Sequence, residues 1–145
     1  MTQEKRNLLI QDLCGRLPYG VIAKKEYSFV FTNGTISKSK KIEKIDLEDI
    51  DYLISGDDCV DVLKPYLRLL SSMTESEREE LKALCDKDLS EFAGHLMKGH
   101  GLSRDGLYMF DKLRQLDWLN KHHFDYRGLI DKGLALEAKE GMYNV

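Results

Sequence analysis

The spacing of hydrophobic and polar positions changes along this chain, and each change marks an element. Over residues 4–14, Leu8, Leu9 and Leu13 recur at helical spacing, which predicts a first helix closed by Gly15 and Pro18. From Tyr19 the period drops to two. Tyr27, Phe29 and Phe31 alternate with Ser28, Val30 and Thr32, predicting a strand with its aromatics on one face. Asn33-Gly34 follows at once. That dipeptide suits a type I′ turn, which pairs Thr32 with Thr35 and Phe31 with Ile36. Further strands are predicted over Lys41–Ile45, Ile50–Ile54 and Cys59–Leu63, the last two separated by the turn composition Ser-Gly-Asp-Asp.

After Pro65 the pattern becomes helical. Thr74-Glu75-Ser76-Glu77 fits a capping box, and Leu81, Leu84 and Cys85 supply the stripe behind it. Asp88-Leu89-Ser90-Glu91 offers a second box, opening a short helix to about Met97. Gly99, Gly101 and Gly106 mark a flexible connection before a longer helix over 107–122. Asp125 suits the cap of a short helix through Ile130 that ends at Gly133, and Leu134–Leu136 alternates as a brief terminal strand. The expectation is one α+β domain over 1–145, with 19–64 mainly strands and 74–136 mainly helices. Its order is an N-terminal helix, a small antiparallel sheet or SH3-like barrel, three to four C-terminal helices and the terminal strand.

Composition narrows the class without naming a function. The 145 residues are 42% hydrophobic and 32% charged, ordinary for a globular domain. No apolar run approaches the roughly 18 residues of a membrane span, and the N-terminus lacks a signal-peptide core. The cytoplasm is therefore the expected compartment. Cys14, Cys59 and Cys85 form neither a paired framework nor a zinc spacing, and are read as small buried hydrophobes. The net charge of −3 speaks against a dedicated nucleic-acid binder. Charge is locally uneven, however: Lys38, Lys40, Lys41 and Lys44 cluster, and Asp46 to Asp61 then holds seven acids and no base.

Candidate chemistry concentrates near the C-terminus. His122 and His123 extend the faces of Trp118 and Leu119, at the helix end where the dipole favours imidazolium. A zinc site drawing on His122, His123 and Asp125, with His95 or His100, is the metal alternative; packing is the preferred reading, with no catalytic residue, metal or cofactor. No sequence feature links a cysteine to an activating base, and Lys98-Gly99-His100-Gly101 lacks the spacing of a phosphate loop. Lys64-Pro65-Tyr66-Leu67-Arg68 joins base and aromatic as a nucleic-acid contact would, although a strand exit explains it more simply.

Three segments, LCGRLPYGV (13–21), LKPYLRLLSSMTE (63–75) and DWLNKHHFDYRGLIDKGLALEAKEGMYN (117–144), carry a resemblance. They resemble a family of small proteins of no known activity, encoded by phages and integrated mobile elements of anaerobic gut bacteria. Leu69 and Lys139 stand where that family usually has proline. The resemblance implies a frame built from these segments, with 22–62 and 76–116 as the variable surfaces. A fixed frame with variable faces implies a recognition module rather than an enzyme. The expected function is a non-enzymatic accessory protein of the element that binds a host protein or small ligand, with antagonism of host defence as the expected consequence. Tyr27, Phe29, Lys38, Lys40 and Lys41 are its expected contacts. One alternative is a nucleic-acid-associated protein using those lysines with Lys64, Tyr66 and Arg68; another is a small hydrolase using His122, His123 and Asp125. No membrane partner is expected, and the oligomeric state is left open.

Overall fold

A computed structural model describes residues 1–56, 59–84 and 104–143. Helix α1 (Gln3–Arg16) starts where the Thr2 hydroxyl accepts the Lys5 N–H at 3.3 Å. It runs past Gly15 into a 3₁₀ turn, Leu17–Tyr19, and stops at Gly20 in the left-handed conformation. Strands β1 (Ile22–Val30) and β2 (Ile36–Lys44) form the hairpin, followed by α2 (Leu47–Ser55) and β3 (Val60–Leu67). A helix α3 covers 75–84, α4 spans Arg104–Lys121, and β4 is Leu136–Glu137. The fold is α+β.

The sheet is open, in the order β2-β1-β3-β4, and does not close into a barrel among the described residues. Strands β1, β2 and β3 are antiparallel, whereas β4 runs parallel to β3, with Tyr66 opposite Leu136. Ala23, Leu63 and Leu67 share one face and pack with Leu9 and Leu13 of α1 and Ile50 and Leu53 of α2. Leu129, Leu134 and Ala135 complete that core from the C-terminal segment. Burying such aliphatic side chains contributes roughly 1.5–3 kcal/mol each.

Several expectations are corrected. The hairpin has no two-residue turn. Val30 pairs with Ile36, the Phe31 N–H donates to the Thr35 carbonyl at 2.9 Å, and Thr32, Asn33 and Gly34 form a three-residue loop. The cause is local: the Asn33 side chain accepts the Thr35 amide at 3.0 Å, and Gly34 alone takes positive φ, +84°. The predicted strand over Lys41–Ile45 is the second half of β2.

Residues 50–54 are helical. Asp46 and Asp49 form a reciprocal capping box at 3.0 Å each way, and Gly56 ends α2 at φ +68°. The Cys59–Leu63 strand starts at Val60 and continues to Leu67. Pro65 is tolerated because it faces Ala23, whose own backbone groups bond β2, so β1 asks nothing of the missing N–H. Gly106 lies inside α4 instead of ahead of it, and the terminal strand is displaced to Leu136–Glu137. After Asp125 the chain turns without completing a helix, although that carboxylate does accept the Leu129 and Ile130 amides at 2.8 and 2.9 Å. Cys14 is exposed and Cys59 half-buried, contrary to the buried reading. Cys85, the box at Asp88–Glu91, the helix to Met97, His95 and the loop 98–101 with His100 lie outside the described residues. No described helix is long and apolar enough to cross a membrane.

Candidate functional site

Strand pairing gathers lysines that the sequence scatters. In an antiparallel sheet directly opposed residues share a face. Lys24 lies between Ile42 and Lys64, Glu26 faces Lys40, Ser28 faces Lys38 and Ile22 faces Lys44. Lys24, Lys38, Lys40, Lys44 and Lys64 therefore stand on the sheet face opposite the core. Val30, Ile36 and Ile42 stand among them, 72%, 61% and 59% exposed. Glu26 answers Lys24 at 3.4 Å and Lys40 at 3.8 Å. No described carboxylate lies within ion-pair distance of Lys38, Lys44 or Lys64. Pairing with β3 ends at Tyr27, with one further bond from the Ser28 N–H to the Cys59 carbonyl at 2.8 Å, so the tip of the hairpin beyond Ser28 projects as a two-stranded arm.

The loop decides which side these lysines take. A two-residue turn would have put Lys38 and Lys40 beside Tyr27 and Phe29; the observed register puts them on the other face. Tyr27 is buried and donates to Asp49, which also holds the buried Lys25 ammonium at 2.5 Å. Burial alone would raise the Asp49 carboxyl, but the bonds from Lys25, Tyr27 and the Asp46 amide bring it below its usual range. Burial and that same bond push the Tyr27 hydroxyl up. Phe29 stacks on Tyr27 with centroids 6.2 Å apart and stays 39% exposed. Lys41 pairs with Lys25 on the core side. The five expected contacts thus divide: Lys38 and Lys40 belong to the lysine face, and Tyr27, Phe29 and Lys41 do not.

Of the other expected residues, Arg68 and His122 line a groove at the opposite end. Tyr66 is buried, and the Arg68 guanidinium makes paired bonds to Glu77 at 2.8 and 2.9 Å and lies 4.2 Å from the Phe124 ring centre. Those bonds hold the Glu77 carboxyl down at about 2. Tyr66 lies on the same side of β3 as Lys64 but is buried there, so of the basic-aromatic stretch only Lys64 contributes to the lysine face. A polar groove of about 840 Å³ runs past Arg68, Glu77, Glu80, His122, Glu140 and Tyr143.

His122 stacks on Trp118 at 4.0 Å, with Glu77 3.8 Å and Glu80 4.0 Å from its nitrogens. Burial outweighs both carboxylates and lowers its pKa. His122 thus packs on Trp118 and at the same time walls the groove. His123 is buried and stacked on Tyr143 at 3.7 Å, with its backbone at φ +61°. The Tyr143 hydroxyl accepts the Ile22 N–H at 2.9 Å and donates to the Tyr66 carbonyl at 2.7 Å, strapping the C-terminal segment across β1 and β3. With Asp125 committed to backbone amides, His122, His123 and Asp125 do not converge, and no group of three potential ligands suited to a metal occurs among the described residues.

Sequence reasoning placed Lys44 in the basic cluster without counting it as a contact, and missed Lys24 of the lysine face as well as the buried ionic group behind α1. There Arg16 makes paired bonds to Asp12 at 2.7 and 3.1 Å and reaches the Phe124 carbonyl at 2.7 Å, while Arg127 stands 3.4 Å from the same Asp12. The i,i+4 spacing of Asp12 and Arg16 was the available signal for that pair; the lysine face needed the correct register. Comparison of the chain with protein-family models, with curated proteins and with solved structures finds no match.

Proposed function

We propose that this chain is a non-enzymatic binding module that meets a protein partner on the lysine face of its sheet. The observation carrying the reading is the union of Lys24, Lys38, Lys40, Lys44 and Lys64 with exposed Val30, Ile36 and Ile42, on a chain of net charge −3. Clustered charge steers encounter with an acidic surface, and the aliphatic side chains supply area to bury once contact is made. The mixture favours protein over nucleic acid. A phosphate-tracking surface adds stacking platforms to its cations, yet Tyr66 is buried and Arg68 is held by Glu77. The resemblance to phage-encoded proteins makes a host protein the partner to seek, with interference in a host defence as the consequence.

Affinity purification from the native host tests this reading, with mass spectrometry of co-purifying proteins and nucleotides. The unaltered chain should retain an acidic protein that the triple variant Lys38→Glu, Lys40→Glu, Lys44→Glu loses while keeping its circular dichroism. Equal retention by both, or a nucleic acid as the main passenger, overturns it.

A further inference from the structure

We infer that the partner is held by strand addition: an acidic extended segment of the partner protein pairs with the outer edge of β2. The inference rests on the proposed binding face and specifies what docks there. Strand β2 is the first in the sheet order, and eight of its nine residues are exposed, Ser39 being the exception. Its backbone alternates between two directions. The bonds Phe31 N–H to Thr35 carbonyl and Ile45 N–H to Val21 carbonyl fix the odd-numbered residues as those facing β1. Ile36, Lys38, Lys40, Ile42 and Lys44 consequently direct their N–H and carbonyl groups away from the sheet. These are also the residues whose side chains form β2's share of the lysine face. One edge thus presents a ladder about 30 Å long and a matching row of side chains.

The row specifies the occupant. Lysines on an edge already discourage self-pairing, and a second copy of β2 would bring Lys38, Lys40, Lys41 and Lys44 against their own kind. Protection alone gives no reason for Ile36 and Ile42, 61% and 59% exposed in the same row. An antiparallel segment fits when it sets acids opposite Lys44, Lys40 and Lys38 and aliphatic residues opposite Ile42 and Ile36. Main-chain bonds then supply affinity and the alternating side chains supply choice, the usual division in strand addition.

A nine-residue probe follows directly: acetyl-Glu-Thr-Val-Thr-Glu-Thr-Glu-Thr-Val-amide, with a control N-methylated at its two central glutamates. Amide hydrogen exchange by NMR on the full chain is the readout. With free peptide at about ten times its Kd, exchange at Lys38, Lys40 and Ile42 should slow roughly tenfold. Ser39, Lys41 and Glu43, already bonded to β1, should change little, and the methylated control should protect nothing. Shifts confined to lysine side chains, or equal protection by the control, sink strand addition while leaving the binding face intact. Absence of any contact with the face by either peptide sinks both. Protection that grows with protein concentration in the absence of peptide makes a second copy the occupant and overturns the inference.

Discussion

His123 ties the stability of the C-terminal segment to pH. Its ring is 5% exposed and stacked on Tyr143, and burial, aided by Arg16, His122 and Arg68, lowers its pKa from 6.5 to about 4. The unfolded chain takes up a proton on this ring near pH 6.5, the folded chain only near pH 4. Its contribution is therefore complete above pH 6.5 and is lost as pH falls through 4. At pH 4 the unfolded ring is favoured by a factor of roughly 160, about 3 kcal/mol.

The substitution His123→Asn isolates the effect, because asparagine tolerates the left-handed backbone at φ +61° and carries no titrating ring. At pH 7.5 the variant should be less stable by about 1–2 kcal/mol, the value of a buried aromatic contact with modest repacking. Between pH 7.5 and pH 4 the parent chain loses about 3 kcal/mol through this ring and the variant does not, which exceeds the initial gap, so their order should reverse. Urea denaturation of both proteins at pH 7.5, 6, 5 and 4 reads this as crossing midpoints. Parallel curves with a constant gap would refute the assignment of a buried neutral imidazole.

Other substitutions probe separate parts of the fold by thermal or denaturant unfolding. Asp12→Ala leaves Arg16, itself fully buried, without its carboxylate and should cost about 3–5 kcal/mol; a cost under about 1 would mean that water reaches the guanidinium. Tyr143→Phe strands the Ile22 amide and the Tyr66 carbonyl, so about 1–3 kcal/mol should be lost, with faster exchange at the Ile22 N–H. Gly34→Ala meets no atom within 4 Å, so its cost should be the backbone term alone, about 1 kcal/mol; no loss would contradict the left-handed loop residue.

The elements were legible wherever one local signal dominated. Thr74 and Glu77 spell a capping box, and both of its bonds form, at 3.1 and 3.2 Å. The hairpin was legible, but its register was not. Asn-Gly serves two loops that differ by one residue, and the choice fell to the Asn33 side chain bonding Thr35. That single step reverses every facing relation, which is why lysines expected beside the aromatics lie on the opposite surface. Ile50–Ile54 misled because a short apolar run fits either period; the deciding Asp46–Asp49 box was hidden in an acidic stretch noted only for its charge. The groove lay beyond sequence reasoning altogether. Arg68 and Glu77 are near in sequence, but His122 and Tyr143 join them only through the docking of α4 and the parallel pairing of β4.

Photocross-linking in the native host tests the assignment of the working surface most directly. A photoreactive side chain is placed in turn at Lys40 on the lysine face, at Gln11 on the exposed side of α1, and at Lys139 on the rim of the groove. The account predicts a single protein adduct from position 40 and none from 11 or 139. An adduct from position 139 with none from 40 would contradict it and move the function to the groove beside His122.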